Sequence, residues 1–377
     1  MTEKEIGEIR RRYRAERSCI TRVRGCYVND KREIAAEFSQ SLGLMSGDEA
    51  EELLAILKKT LSGGLGRNLL DIAFDTKQVM EGEEHRLLMT LRSSEIGDDG
   101  AVRRFYEQII GALELEGSYL IILAHDSYDV PAFAKDGEKL EADEVFSYIL
   151  CSICPVKQTK PALGYYPSEN RFKNISINSI VSAPVLGFMF PAFDDRRANI
   201  HNAVYYTRDI KENHQELADA VFRCELPMPA AAQKETFQSI LKETVAEECD
   251  YEVMQTVHEQ ICELVELHKT NKEEPLVITK RTVRGVLESC EVSDERVNAF
   301  EERYDEAFGE DAELSPKNII NTKKFELSTP DVTINVNPER SDLVQTRIID
   351  GLKYILIRAN EGVEVNGVSI HIAGETK

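Results

Sequence analysis

The residues best suited to chemistry are one histidine and four aspartates that follow two apolar runs of the sequence. They are His125, Asp126, Asp129, Asp194 and Asp195. Imidazole and carboxylate groups that converge at strand ends can hold a divalent cation, and an oriented imidazole can act as a general base. Aspartates after strands also form turns, and the stretch from Asp194 to Arg197 can neutralise its own charges. A metal or catalytic site and a set of structural turns are therefore both open interpretations.

A second candidate set is a group of arginines in the first 24 residues. This segment has eight basic and four acidic residues, a net charge of +4, so the rest of the chain carries −25 of the total of −21. The candidates for binding nucleic acid are Arg10, Arg11, Arg12, Arg14, Arg22 and Arg24. Such a segment could lie on phosphates. Pairing with the acidic surface of the same chain or of a second copy is the favoured alternative, because those carboxylates are present at higher effective concentration.

Two further motifs are interpreted as structural. Cys151 and Cys154 have the spacing of a redox or zinc pair, but residues three apart in a strand point to opposite faces, and no second pair supplies further zinc ligands. The glycine-rich stretch from Ser62 to Arg67 follows a predicted helix and precedes a strand, the reverse of the order in a phosphate-binding loop. The sequence contains no nucleophile elbow, Walker loop or kinase signature, so we predict no cofactor and assign no metal.

Composition and charge limit the kinds of protein this chain can be. With 377 residues, 42% of them hydrophobic, it can form two or three domains with real cores. The net charge of −21 opposes general binding to nucleic acid or to anionic membranes. No segment has the roughly 20 apolar residues of a membrane span, and the start of the chain does not read as a signal peptide. We expect a cytoplasmic protein with reduced cysteines and no membrane contact.

The elements that must position these candidates follow from the periodicity of apolar residues. A charged helix and a β-hairpin are predicted at the start of the chain, followed by helices over 46–61 and within 81–115. The two nearly continuous apolar runs, 119–128 and 145–154, are predicted to pair as the central antiparallel strands. Amphipathic helices are predicted between 233 and 308, and short strands after that.

The sequence predicts an α+β fold in three parts. Residues 1–228 form a mixed domain with a mainly antiparallel sheet, which ends at the prolines after Leu226. Residues 229–310 form a helical segment, and residues 311–377 form a small C-terminal antiparallel β module. This last part is predicted as one small sheet, with turns at 337–338, 350–351 and 366–367.

Five stretches carry a resemblance to a known family. They are ITRVRGCYV at 20–28, LAHDSYDVP at 123–131, YILCSICP at 148–155, FPAFDDR at 190–196 and NPERSDLV at 337–344. Over nearly its full length the chain resembles an uncharacterised family of bacterial cytosolic proteins, a domain-of-unknown-function group, which has no activity to carry over. The order of elements is also similar to that of the bacterial nucleoid-associated protein family, but no motif allows a functional residue to be transferred.

Three hypotheses follow. The leading one is a non-enzymatic cytosolic binding or adaptor protein, associated with the nucleoid. Its acidic body would engage protein partners or a second copy, and its N-terminal segment would contact nucleic acid. The alternative is a metal-dependent hydrolase that acts on phosphoesters through the His/Asp set. The third is a homo-oligomeric structural protein that pairs through the terminal β module.

Overall fold

A computed structural model describes most of the chain. The described residues are 1–131, 144–159, 162–175, 179–245, 251–270, 276–322, 324–360, 362–365 and 367–370. Their contacts divide the chain into two compact units, residues 1–232 and residues 233–370. The predicted boundary after residue 228 lies four residues before this division, and the helical segment and the terminal strands share the second unit.

The first unit contains a large antiparallel sheet with helices on both faces. Its elements are α1 (Glu3–Arg10), β1 (Arg22–Val28), β2 (Ile34–Ser41), α2 (Gly47–Lys59), β3 (Leu69–Ala73), α3 (Thr76–Glu81), α4 (Glu83–Ser93), α5 (Asp99–Ala112), β4 (Tyr119–Val130), β5 (Glu144–Gln158), β6 (Ala162–Tyr166), β7 (Arg171–Ile175), β8 (Ser179–Val181), β9 (Leu186–Phe190), β10 (Ala192–Asp194), β11 (Arg197–Asn199), β12 (Asn202–Thr207) and α6 (Gln215–Val221). The strand order is β2-β1-β4-β5-β9-β12-β3, with β8 on the end of β5. The predicted central pair is confirmed, since Ile121 of β4 lies opposite Ile153 of β5.

The pleat of the central strands explains their continuous apolar sequence. On β4, Ile121 and Leu123 belong to the core under α4, α5 and α6, whereas Ile122 and Ala124 belong to the core under α1 and α2. Successive side chains of a strand point to opposite faces, so a strand that is covered on both sides needs apolar residues at every position. The cysteines obey the same rule, because Cys151 lies in the first core and Cys154 in the second.

The second unit has helices with a core of their own, followed by short hairpins. Its elements are α7 (Ala230–Val245), which begins at the boundary, α8 (Tyr251–Thr270), α9 (Lys280–Ser289), α10 (Asp294–Phe308), α11 (Pro316–Ile319), β13 (Phe325–Ser328), β14 (Thr333–Val336), β15 (Val344–Ile349), β16 (Leu352–Ile357), β17 (Val363–Val365) and β18 (Val368–Ile370). Phe237, Val257 and Phe300 meet in the helical core. These helices confirm the amphipathic pattern of the sequence.

The prediction of one small C-terminal sheet is wrong in its detail. The described strands form three separate two-stranded hairpins: β13 with β14, β15 with β16, and β17 with β18. The predicted turn after Asn337 is a short 3-10 helix, Pro338–Leu343, which Asn337 caps. The turn at 366–367 lies partly outside the described residues. The α+β class is confirmed, and none of the described helices is long and apolar enough to cross a membrane.

Candidate functional site: a basic cleft beside the N-terminal helix

The five residues of the predicted His/Asp set do not share one site. His125 and Asp126 are neighbours on β4 and therefore point to opposite faces of the sheet. The Nε2 atom of His125 lies 2.9 Å from Oγ of Ser147, on the face that α4 covers. Burial is the main cause that lowers the pKa of His125. The described part of the chain contains no group of three or more potential metal ligands.

Asp126 is a buried structural centre on the other face. Its side chain is 2% exposed. Its carboxylate accepts hydrogen bonds from the backbone N–H groups of Cys19 and Ser127, at 3.0 Å each, and from the hydroxyl of Tyr148, also at 3.0 Å. The guanidinium of Arg12 completes the set with donor distances of 3.3 and 3.4 Å. A buried carboxylate with this many donors holds the chain together and has little capacity left for a ligand.

Arg12 fixes the segment that follows α1 against the sheet. It donates to the carbonyl oxygen of Ser127 at 2.9 Å, and its guanidinium lies 4.4 Å from the ring centroid of Tyr128. Burial opposes the charged form, but the Asp126 carboxylate and the hydrogen bonds outweigh it and raise the pKa of Arg12. Arg12 is thus committed to contacts within the protein.

Asp194 and Asp195 lie at a hairpin tip. Asp194 pairs with Arg197 in register, and the two residues between them, Asp195 and Arg196, have φ values of 48° and 58°. A two-residue turn with both φ angles positive is of type I′ and usually contains asparagine, aspartate or glycine. Asp195 suits it, but an arginine in the left-handed region costs about 1–2 kcal/mol. The Asp194 carboxylate lies 3.5 Å from the amino group of Met1.

The arginine candidates fall into two groups. Arg10 donates to the carbonyl oxygens of Leu61 and Gly63. Arg24 pairs with Asp99 at 2.7 Å, and Arg12 pairs with Asp126. The remaining candidates, which are exposed, are Arg11, Arg14 and Arg22. Half of the predicted set therefore stabilises the fold, as the alternative of intramolecular pairing expects.

Exposed and paired cations meet in a cleft of about 790 Å³ beside α1, which we call the basic cleft. In the part of the chain that the structure describes, its lining includes five basic residues, Lys4, Arg11, Arg12, Arg17 and Arg196, against three acidic ones, Glu5, Glu8 and Asp195. Among the described residues, the side chains of Lys4, Arg11 and Arg17 have no ion-pair partner. The cleft therefore carries surplus positive charge on three side chains that reach solvent.

Two of the three acidic residues described in the basic cleft, Glu5 and Glu8, accept hydrogen bonds from neighbours. Glu8 accepts from the hydroxyl of Tyr128 at 2.6 Å and from Arg196 at 3.0 Å. Glu5 closes the capping box of α1 with Thr2 and also accepts from the backbone N–H of Arg196 at 3.2 Å. Burial and the hydrogen bond to Glu8 raise the pKa of Tyr128 to about 12. These contacts engage Glu5 and Glu8 with Thr2, Tyr128 and Arg196, and leave Asp195 as the exposed carboxylate of the cleft.

A family model described as Domain of unknown function (DUF4317) matches residues 1–368 of the chain. The chain belongs to the DUF4317 family. The match spans both units, including every residue that lines the basic cleft. No curated protein matches the sequence. The prediction of an uncharacterised family at nearly full length is confirmed, and the similarity to nucleoid-associated proteins is not shown.

Sequence reasoning missed four of the basic and aromatic residues that line the cleft in this DUF4317 chain: Lys4, Arg17, Tyr128 and Arg196. Arg17 lies in the same basic segment as the chosen arginines and could have been included on charge alone, as could Lys4. Arg196 and Tyr128 are different, because only the folded hairpin tip and the far end of β4 bring them to α1. Of the predicted residues, Arg11, Arg12 and Asp195 line the cleft and Asp126 lies beneath Arg12.

The two motifs interpreted as structural have structural surroundings. Cys151 and Cys154 are buried, and burial raises the pKa of the Cys154 thiol to about 12, which opposes formation of a reactive thiolate. In the glycine-rich stretch, Gly63 and Gly66 have φ values of 94° and 67°, which only glycine adopts readily. Both motifs serve packing and chain reversal.

Proposed function

We propose that this DUF4317 protein is a non-enzymatic binding protein of the bacterial cytoplasm that engages nucleic acid phosphates in the basic cleft and is associated with the nucleoid. One observation carries the proposal. In a chain with a net charge of −21, Lys4, Arg11 and Arg17 line one cleft without an ion-pair partner among the described residues. Cations that repel one another are stabilised by an anion placed between them.

Phosphate is the anion that this cleft suits. Arginine presents a planar fork of donors that binds phosphate oxygens in pairs, and two of the three unpaired side chains are arginines. Arg12 and Arg196 are balanced by Asp126 and Glu8, so the net positive charge of the cleft is carried by Lys4, Arg11 and Arg17. Because the residues outside 1–24 carry −25, a polyanion is repelled elsewhere, and contact should be local and strongly dependent on salt. That acidic remainder suits protein partners or a second copy.

The metal-dependent hydrolase is less well supported. It needs imidazole and carboxylate ligands around one ion, but His125 and Asp126 lie on opposite faces of the sheet. The Asp126 carboxylate is already taken by Arg12, Tyr148 and two backbone N–H groups. Metal analysis of the protein and of its Asp126→Ala and Asp194→Ala variants tests this alternative, and a bound ion lost in a variant that keeps its fold by circular dichroism would restore it.

A binding assay with charge-reversed side chains tests the proposal better than a truncation. Removing residues 1–24 would delete Ile6, Ile9 and Tyr13 from the core and would unfold the unit that contains the basic cleft. The cleft variant is Arg11→Glu with Arg17→Glu. The control variant is Lys77→Glu with Arg86→Glu, which makes the same charge change on exposed residues of α3 and α4, on the other face of the sheet.

Electrophoretic shift and fluorescence anisotropy at low salt give the readout. We expect the wild type and the control variant to bind labelled DNA or RNA with affinities within about threefold, and the cleft variant to bind at least tenfold more weakly. Equal weakening by both variants would indicate only a general charge effect. Absence of binding by the wild type at low salt would remove the nucleic-acid proposal.

A further inference from the structure

The face of α1 that lines the basic cleft carries a cation, a carboxylate and a second cation in that order. Lys4, Glu8 and Arg11 all line the cleft, and they lie four and three residues apart in the chain. Residues at this spacing are neighbours on one face of a helix. The helix ends at Arg10, but the backbone of Arg11 keeps helical angles, with φ −69° and ψ −14°. Glu8 therefore lies between the two cations along the helix.

Lys4 and Arg11 are about two helical turns apart. Seven residues of α-helix span about 10 Å along the axis. Both side chains are exposed and have no ion-pair partner among the residues that the structure describes. Arg17, which is also exposed, follows beyond the end of α1. The surplus positive charge on α1 is thus located at two separate places on the cleft wall.

The place between the two cations is already filled. The side chain of Glu8 is 19% exposed, and it accepts hydrogen bonds from the hydroxyl of Tyr128 at 2.6 Å and from Arg196 at 3.0 Å. An anion midway between the cations would lie against this carboxylate, which repels it. Asp195, the residue before Arg196 in the chain, also lines the cleft, and its exposed carboxylate opposes an anion in its vicinity. Anions are therefore favoured at the two ends of this face and disfavoured at its centre.

We infer that the basic cleft binds a phosphodiester chain through at least two phosphates, one at Lys4 and one at Arg11. The inference rests on the proposed function and names the smallest ligand that the site takes. In such a chain neutral sugars separate the charges, as the ion pair of Glu8 with Arg196 separates the cations here. A single phosphate or a mononucleotide reaches one cation at a time. When one chain reaches both cations, its second contact is intramolecular, which strengthens binding.

The test compares ligands of increasing length on the full-length protein at low salt. Inorganic phosphate, thymidine monophosphate and a thymidine tetranucleotide each compete with a fluorescent 12-nucleotide strand, and anisotropy gives each affinity. The end variants are Lys4→Gln and Arg11→Gln, each of which removes the cation at one end. The control is Lys77→Gln, which removes one exposed cation from α3 on the other face of the sheet.

We expect the tetranucleotide to bind at least tenfold more tightly than the monophosphate, because it reaches both cations. Each end variant should weaken tetranucleotide binding about fivefold and lower its salt slope by about 0.7, with the control within about twofold of the wild type. The monophosphate should lose at most about half of its affinity in either end variant, because the other end remains. Circular dichroism should show that both end variants keep their secondary structure.

Two results would overturn the inference and leave the proposed function standing. One is a monophosphate that binds as tightly as the tetranucleotide. The other is a Lys4→Gln variant that binds the tetranucleotide as the wild type does while Arg11→Gln weakens it. In both cases a single anion site would hold the nucleic acid.

Two other results would overturn the proposed function and the inference together. One is the absence of binding of the 12-nucleotide strand to the wild type at low salt. The other is equal weakening by Lys77→Gln and by the end variants, which would show that the overall charge of the protein governs binding.

Discussion

Arg12 and Asp126 are 114 residues apart in the chain, yet Nε of Arg12 lies 3.3 Å from Oδ2 of Asp126. Their side chains are only 12% and 2% exposed, so water screens the two charges little. The pair attaches the segment after α1 to β4 and thereby positions Arg11 and Arg17 at the mouth of the basic cleft. The geometry of the candidate site thus depends on an ion pair within the protein that does not itself bind a ligand.

Replacing Asp126 with asparagine should destabilise the protein. The substitution keeps the shape but leaves the guanidinium of Arg12 without its counter-ion, and breaking one side of a buried pair costs about 3 kcal/mol. Urea denaturation followed by tyrosine fluorescence measures the free energy of unfolding. Asp129→Asn changes an exposed residue of the same strand and should stay within about 0.5 kcal/mol of the wild type.

A double-mutant cycle separates the pair from its surroundings. Adding Arg12→Gln to Asp126→Asn removes the unpaired charge, so the double variant should be more stable than the sum of the two single losses predicts. Strict additivity of the two losses would show that the ion pair does not couple the segment after α1 to the sheet.

His125 should contribute to acid sensitivity. Burial is the largest cause that lowers its pKa in the folded protein, against an unfolded value of about 6.5. The unfolded chain therefore takes up the proton first, and stability that is present above about pH 6.5 is lost as the pH falls toward the folded pKa. We expect His125→Gln to flatten the fall in urea midpoint between pH 7.5 and pH 5.5.

The matched control for this experiment is the exposed His201. Its replacement by glutamine should leave the pH dependence of the midpoint as it is in the wild type. An unchanged slope in the His125 variant would mean that other groups account for the acid sensitivity.

The central sheet could be predicted because a strand that is buried on both faces needs apolar residues at nearly every position, and this pattern is visible in the sequence. The runs around Ile121 and Ile153 are apolar at nearly every position, as strands covered on both faces require. The period of two also separates Cys151 from Cys154. The same period separates His125 from Asp126, so the sequence already contained the evidence that these neighbours face different sides.

The basic cleft could be predicted only in part, for two physical reasons. The excess of arginines before residue 24 was visible in the composition, but which of them pair internally depends on carboxylates far away in the chain, such as Asp126. The sequence also gives no signal for the left-handed backbone at Arg196, because arginine is a poor residue for a type I′ turn. The terminal hairpins did not merge into one sheet, and strands of three to six residues give no sequence signal for that choice.

Gly187 on β9 should tolerate no side chain. A Cβ atom there would lie 2.3 Å from the carbonyl oxygen of Cys151 and 2.5 Å from Cγ2 of Thr60. Gly187→Ala must push a central strand apart, and we expect a loss of about 2–3 kcal/mol in the free energy of unfolding.

Gly111 provides the opposite case for the same substitution. A Cβ atom added at this position in α5 would meet nothing within 4 Å. Gly111→Ala should raise the free energy of unfolding by about 0.5–1 kcal/mol, because alanine favours the helix and restricts the unfolded chain. Equal effects of the two alanine substitutions would contradict the close packing around β9.

The salt dependence of binding should count the phosphates held in the basic cleft. Each phosphate contact that is lost should reduce the slope of log affinity against log salt concentration by about 0.7 for a single strand. We therefore expect Arg17→Ala to lower the slope by about that amount, and Arg11→Ala with Arg17→Ala by about twice as much. Anisotropy titrations between 50 and 200 mM salt, roughly the range over which such contacts are lost, measure the slope.

The control is Arg86→Ala, which changes an exposed arginine of α4 and should leave the salt slope unchanged. A slope that falls equally in this control would show that the overall charge of the protein, and not the cleft, governs binding.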